Sequence, residues 1–500
     1  GITTDSNGNP ASGGAWAMNN WWGTDASCQY EGTTAGCIYW GVDKNWFSGS
    51  SWARPILNAD TAVSTTTVST CSYQSGSYNV MIQAGVADII DNFEVTGFCS
   101  SRNPGSTGPS TDVMIAYGGT GNYGSGMLFE ENLYIHGWTT TSTAGQSNST
   151  IACTILGGGA GGLQTLDHIV IDGADSDPQV CSWATFPSFY HFRDSIIRYT
   201  TQGVGNWCHD VHDNIFEHFY NPIWPTHGNV LECNDDSPGS AVNQPQNTPN
   251  VVYNNIVRHD DAGFNTGNPR FWFCPESVPE YWFNNLQYDL AKNATQNWDY
   301  AGPSGYSCSN AGGQYMFNNT IVGAAQPCYL PTISHGGQYL TVYDEHLIGT
   351  SFDSGSTACT GVSSPTNVSV SFATAVTEGY LTTGGTGGSG YTCANESTTP
   401  CSPIAATNST VGTGANHMAY CNALASFTSE PAISTDAANA CAFGTSDACS
   451  YNLSNHTMNC PAQALVARPT STAWDAGAYQ FSGTVAQAPA APTGLTATVQ

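Results

Sequence analysis

Positive charge is the scarcest feature of this chain. Nine Lys and Arg stand against 37 Asp and Glu in 500 residues, a formal net charge of -28. Binding nucleic acid or an anionic membrane surface requires a basic face, so neither is an expected partner. Long apolar runs are missing too. None reaches the 18 residues of a membrane-spanning helix, so no membrane insertion is expected. Helical periodicity is nearly absent, which argues against helical repeats. The 18 Cys include no CxxC pair and no CxxCH, so zinc and haem are not indicated. Scattered singly and even in number, they read as disulfides formed in an oxidising compartment. The chain starts at Gly1 without Met or a signal peptide, as expected of a mature or trimmed chain.

What is present is a phrase written nine times between Asp91 and Gly349. An Asn, Asp or His is followed by two to four apolar or β-branched residues: Asn92-Phe93-Glu94-Val95, Asn132-Leu133-Tyr134-Ile135, His168-Ile169-Val170-Ile171, Asp194-Ser195-Ile196-Ile197, then versions anchored at Asn214, Asn255, Asn285, Asn319 and His346. Successive anchors lie 20 to 41 residues apart. A recurring period of this size signals a solenoid or propeller. The shortest intervals cannot hold the four strands of a propeller blade, but they can hold one coil of two or three short strands. The expected fold is all-β: a right-handed parallel β-helix with an N-terminal cap and disulfide-clipped loops. Asn suits its corners because stacked amides hydrogen-bond to each other and to the turn backbone, and Asn tolerates left-handed geometry.

Residues 1–70 are Trp-rich and read as the cap and first coil, with Cys28 and Cys37 as a candidate pair; 71–350 hold the coils. Residues 351–482 read as further irregular coils with disulfide-clipped loops. Asn148, Asn293 and Asn408 begin glycosylation sequons. The phrase Arg468-Pro469 … Trp474-Asp475-Ala476-Gly477-Ala478-Tyr479-Gln480-Phe481 resembles the ending of many secreted bacterial right-handed β-helix (pectate-lyase-like) proteins. In 483–500, a Pro/Ala linker precedes Thr493-Gly494-Leu495-Thr496-Ala497-Thr498-Val499, which resembles the first strand of a fibronectin type III module. Further C-terminal modules are therefore expected. The resemblance implies an extracellular, carbohydrate-active or surface protein.

Neighbouring coils stack about 4.8 Å apart, so residues at one position form a row along the solenoid. Four residues past each anchor the row reads Thr96, His136, Asp172, Arg198, His218, His259, Asp289, Gly323, Thr350. Six ionisable groups in succession span on the order of 24 Å, the scale of a groove for several sugars. His136, Asp172, Arg198, Arg258, Asp289 and the loop aromatic Trp272 are the expected substrate-binding residues.

Acidic and imidazole groups are densest from His209 to Asp261. Glycoside hydrolysis needs one carboxyl as proton donor and another as nucleophile or base. The pairs Asp235-Asp236 and Asp260-Asp261, with His218 and His259, are the expected catalytic groups, mutual repulsion raising one pKa of each pair. The ordered Asn-Thr-Asp, Asp-Asp, Gly-His-Gly, Arg-Ile-Lys series of β-helix polygalacturonases is not present. Polysaccharide lyases on the resembling scaffold use a basic residue and often Ca²⁺; here Asp235, Asp236, Asp260 and Asp261 are the oxygen ligands for such an ion, with Arg198, Arg258 or His259 as base. No cofactor is required for hydrolysis. The expected function is therefore glycoside hydrolysis of an extended polysaccharide, with a Ca²⁺-dependent lyase and a non-catalytic surface scaffold or glycan-binding fibre as alternatives.

Overall fold

The computed structural model describes residues 16–17, 38–41, 52–58, most strand and turn segments between 80 and 350, and 366–483 apart from 388, 428–430, 445–448 and 461–465. Asp235, Asp236, Asp261, Cys28, Cys37, Asn148 and Asn293 lie outside the described residues, as does 484–500.

The coils build three large parallel sheets of nine, ten and eleven strands among the described residues, beside a two-stranded parallel pair, Phe98–Ser100 with Trp138–Thr140. Sheet I runs from Trp16–Ala17 to Gln296–Tyr300, sheet II from Ile38–Gly41 to Leu340–Tyr343, and sheet III from Ile56–Asn58 to Val368–Val370. One coil is Val80–Ala84, Asp88–Asp91, Glu94–Thr96; the next, Val113–Tyr117, Met127–Glu131, Tyr134–Ile135, pairs with it in register in all three sheets. This is the expected all-β parallel solenoid. The Trp-rich N-terminal stretch supplies one strand to each sheet and so winds a first coil.

Period-2 alternation decides what is inside. In the sheet III strands between the two ends of the sheet the middle position faces the core: Val95, Ile135, Ile171, Ile197, Phe216, Val257, Ile321 and Leu347 are almost wholly buried. Sheets II and III meet at a two-residue corner. Its first residue is left-handed in every coil from Asn92 (φ 61) through Asn132, His168, Asp194, Asp213, Asn254, Asn284 and Asn318 to Asp344 (φ 57). Its second residue points inward, and there the ladder forms. Asn214 donates to Asn255 Oδ1 at 3.0 Å, Asn255 to Asn285 at 3.0 Å and Asn285 to Asn319 at 3.0 Å. Each amide also donates to a strand carbonyl of the preceding coil, for example Asn285 to Val252 at 2.9 Å. Ser195 begins this column and Glu345 takes the Asn place near its end, accepting from Asn319 at 3.0 Å.

The segment after 350 differs from the expected irregular coils. Among the described residues, Val368–Val370 alone adds to a coil sheet; the rest forms α1 (Phe372–Thr377), α2 (Met418–Ala425), α3 (Pro431–Cys441) and two antiparallel hairpins, Leu381–Thr383 with Tyr391–Cys393 and Ser450–Asn452 with Thr457–Asn459. Cys393–Cys401, Cys421–Cys441 and Cys449–Cys460 are disulfides. This segment runs back along the outside of sheet III and the Asn corner. Tyr380, Leu381 and Tyr479 pack on Ile256, Leu286 and Ile348; Cys421, Leu424, Ile433 and Trp474 pack on Tyr253, Phe283 and Phe317; Met458 packs on Tyr134, Val170, Ile196 and Ile215. The sheet presents outward apolar residues that periodicity alone would assign to solvent, and the returning chain buries them. No helix among the described residues is long and apolar enough to cross a membrane. The Asn408 sequon is buried, its amide spent on Ile404 N, Ala405 N and Glu378 O, so it offers no glycan site in the folded chain.

Candidate functional site

The expected ionisable row separates into two columns. Strand pairing aligns Asp172 with Arg198, Arg198 with Glu217, Glu217 with Arg258 and Arg258 with Tyr288. His218, His259 and Asp289 stand one residue further on, in a second left-handed corner with Tyr199. The slip has a local cause. Asn92, Asn132, His168 and Asp194 are corner residues, whereas Asn214, Asn255, Asn285 and Asn319 are the inward ladder residues after them, and the doublets Asp-Asn and Asn-Asn hide the change.

The first column is a buried chain of ion pairs. Arg198 lies 3.6 Å from Asp172 and 3.3 Å from Glu217; Arg258 donates to Glu217 at 2.8 Å and to the Tyr288 hydroxyl at 3.4 Å. Tyr451 covers it, donating to Asp172 at 2.9 Å with its ring under Arg198. His136 sits between Glu94 at 3.1 Å and Asp175 at 2.8 Å. Asp172 is 3% exposed and Arg198 6%, so these side chains are sealed inside a seam of ion pairs rather than set out on an open face. The second column is clamped as well. His259 bonds Asp289 at 2.7 Å and Glu396 at 3.0 Å; burial opposes its charge, but the two carboxylates outweigh burial and raise its pKa to about 9. Asp289 also accepts from Thr386 and Gly387 backbone N–H groups. His218 stacks between Tyr199 and His259. Asp260 is fully buried. Trp272 lies in the strand Pro269–Cys274 of sheet I, and its side chain is outside the described ones.

A different cluster forms where sheet II enters the Asn corner. The last residues of the sheet II strands align as Asp91, Glu131, Asp167, Arg193, His212, Tyr253, Phe283, Phe317 and Tyr343. The aromatic half lies under α2, α3 and Trp474. The ionisable half is flanked by the corner residues His168, Asp194 and Asp213. Arg193 donates to Asp167 at 2.9 Å, and His168 bonds the other oxygen of Asp167. Burial would raise the Asp167 pKa, but His168 and Arg193 outweigh it and hold it at about 2. His212 bonds Asp213 at 2.7 Å and lies 3.7 Å from Asp210, which bonds His191 at 2.6 Å. Burial disfavours the His212 cation, yet Asp210 and Asp213 raise its pKa to about 9. Asp194 has the opposite fate. Burial, then repulsion from Asp213 and Asp167, outweighs His212 and His168 and raises it to about 6.

Asp167, His168 and Asp194 bring one ligand atom each within 4.8 Å of one another. Arg193 already neutralises Asp167 and His168 Nδ1 is spent on it, so the trio suits proton chemistry better than a cation. Asp194 also lies beside Cys449 and Cys460, whose sulfurs are joined in a disulfide and offer no thiolate. The sequence carries a signal for this cluster: three consecutive corners read Asp167-His168, Arg193-Asp194 and His212-Asp213, pairing an acid with a basic residue, where the earlier corners have an acid before Asn and the later ones an aromatic before Asn or Asp.

No family model, no curated protein and no solved structure matches the chain.

Proposed function

We propose that the protein is an extracellular glycoside hydrolase that takes a neutral polysaccharide at the ionisable part of the corner between sheets II and III, with Asp194 as general acid and Asp167 as nucleophile. The observation that carries this reading is a pair of carboxylates on adjacent coils whose environments drive their pKa values apart. Such a pair supplies an acid and an ionised partner at one pH. Asp194 keeps a proton in mildly acidic solution and can give it to the glycosidic oxygen. Asp167, held ionised by Arg193 and His168, can attack or stabilise the anomeric carbon. Oxygens within 4.8 Å of each other leave no room for the water that inverting enzymes hold between carboxyls ~6.5–9.5 Å apart, so retention is the expected outcome. A net charge of -28 disfavours a polyanionic substrate. The disulfides support an oxidising compartment.

The test is product release from a panel of neutral plant and microbial polysaccharides, read as reducing ends and as ultraviolet absorbance of unsaturated sugars, with Ca²⁺ or with chelator. Reducing ends without absorbance, abolished in Asp194→Asn and Asp167→Asn with folding intact, support the hydrolase. Absorbance lost with chelator favours the lyase. Silence on every substrate while glycan is still retained favours a binding scaffold, a reading to which the buried ion-pair seam of sheet III, built for durability, also lends itself.

A further inference from the structure

The hairpin Ser450–Asn452/Thr457–Asn459 sits directly over Asp194. The Cys449 sulfur lies 3.4 Å from Asp194 Oδ1, and the Cys460 sulfur 3.8 Å from its backbone oxygen. Joined in a disulfide, these sulfurs carry no proton, so the contact at Oδ1 is not a hydrogen bond. It occupies space that water would otherwise use to solvate a carboxylate. The hairpin is held there by contacts independent of Asp194. Met458 fills the apolar column Tyr134, Val170, Ile196, Ile215. Arg54 donates to the carbonyls of Asn455 at 3.2 Å and His456 at 2.9 Å, and the His456 ring stacks on Tyr134 at 4.0 Å. Tyr451 bonds Asp172. The chain thus returns across some 250 residues of sequence to set a compact, non-donating wall on one carboxyl oxygen.

Resting on the hydrolase reading above, we propose that the Cys449–Cys460 hairpin is a positioning element for the acid, walling Asp194 from water so that it holds a proton for transfer. The groups facing Asp194 are Asp167 and His168 from the preceding coil, Arg193 beside it, and His212 and Asp213 from the following coil. The acids and bases in that set pull in opposite directions, and burial, to which the sulfurs contribute, is the largest cause of the raised value.

The experiment titrates the Asp194 carboxyl by carbon NMR, assigned with Asp194→Asn, alongside the pH profile of kcat/KM. It compares the native chain with Cys449→Ala/Cys460→Ala, which opens the wall, and Cys449→Val/Cys460→Val, which keeps apolar bulk without the cross-link. The Ala pair should lower the midpoint from about 6 toward the ordinary ~4 and move the alkaline limb of the profile with it; the Val pair should keep both near the native position. A folded Ala pair with an unmoved midpoint overturns the proposal. Should the Ala pair fail to fold, the Val pair decides: a retained midpoint supports the wall, and a fall to the ordinary range overturns it. The NMR titration needs no substrate. A chain without activity whose Asp194 midpoint responds as stated rejects the hydrolase while leaving the wall in place, and an active chain with an unresponsive midpoint does the reverse.

Discussion

Arg468 donates a hydrogen bond to Asn284 Oδ1 at 2.8 Å, joining positions 184 residues apart. The same guanidinium reaches the carbonyls of Phe443, Asp475, Gly477 and Ala478 and lies over the Trp474 ring. Asn318, one coil on, donates to Asp475 and Gly477 carbonyls. The C-terminal phrase is therefore a clasp that reads the corner residues of the solenoid. Gly477 (φ 90) fits because a Cβ there would meet His346 and Thr320. Arg468→Ala should leave several buried carbonyls unpaired and cost about 3 kcal/mol, seen as a lower denaturation midpoint and faster proteolytic release of the C-terminal segment. An unchanged midpoint would contradict the clasp.

The ladder amide Asn285 accepts from Asn255 and donates to Val252 O and Asn319. Asn285→Ala should destabilise the chain by about 2–3 kcal/mol, since each orphaned buried partner carries its own desolvation cost. Alanine at the partly exposed corner residue Asn132 should cost less. The comparison is made by denaturant unfolding of both variants.

Glu345 replaces Asn in the ladder, and burial pushes its pKa well above the ordinary range. A carboxyl raised on folding contributes stability that is whole below its unfolded pKa and is lost as pH rises through the interval up to its folded value. Glu345→Gln removes that loss. The two proteins should unfold alike near pH 4, and the variant should be the more stable at pH 8. Equal stability at pH 8 would show that Glu345 does not hold its proton.

Histidines contribute to both limbs of the stability profile. Burial lowers His346 to about 3, and lowers His209 to about 4 despite its bond to Asn250. Their contribution is present above the unfolded value near ~6.5 and is lost as pH falls below it. For His136, burial lowers and the bonds to Asp175 and Glu94 raise, leaving it at about 9 like His212 and His259. These three contribute fully below ~6.5 and lose that contribution as pH rises toward 9. His259→Gln should flatten the alkaline limb and also weaken the loss at low pH, since His259 helps hold Asp289 and Glu396 below the ordinary carboxylate range; both are read in thermal unfolding across pH 3 to 10.

For catalysis the same arithmetic gives an acidic optimum. Activity should require Asp167 ionised, above about 2, and Asp194 protonated, below about 6. Asp194→Asn should lower kcat by roughly 10²–10⁴-fold and erase the alkaline limb. Alanine at His218 should leave turnover in place, because its ring is stacked between Tyr199 and His259 and stands apart from the Asp167–Asp194 corner.

The nine-fold phrase was enough by itself to determine a parallel β-solenoid. A corner that demands left-handed backbone accepts few residue types, and a strand whose middle residue faces the core must repeat apolar residues, so both constraints print directly onto sequence. The Cys content likewise announced disulfides. Register was not written there. A doublet such as Asn254-Asn255 offers two candidates for the corner, and backbone pairing alone shows that Arg198 meets Glu217 and that His218 belongs to the neighbouring column. The roof was not written either. Met458, Tyr451 and Arg468 carry no local mark of the strands they cover, because those contacts close loops of more than a hundred residues. Whether Asp172 and Arg198 floor a groove or lie sealed in a seam depends on that return path. So does the state of Asp194: its charge, neighbours and burial come from three coils and a distant disulfide, and only the folded chain brings them to one carboxyl group.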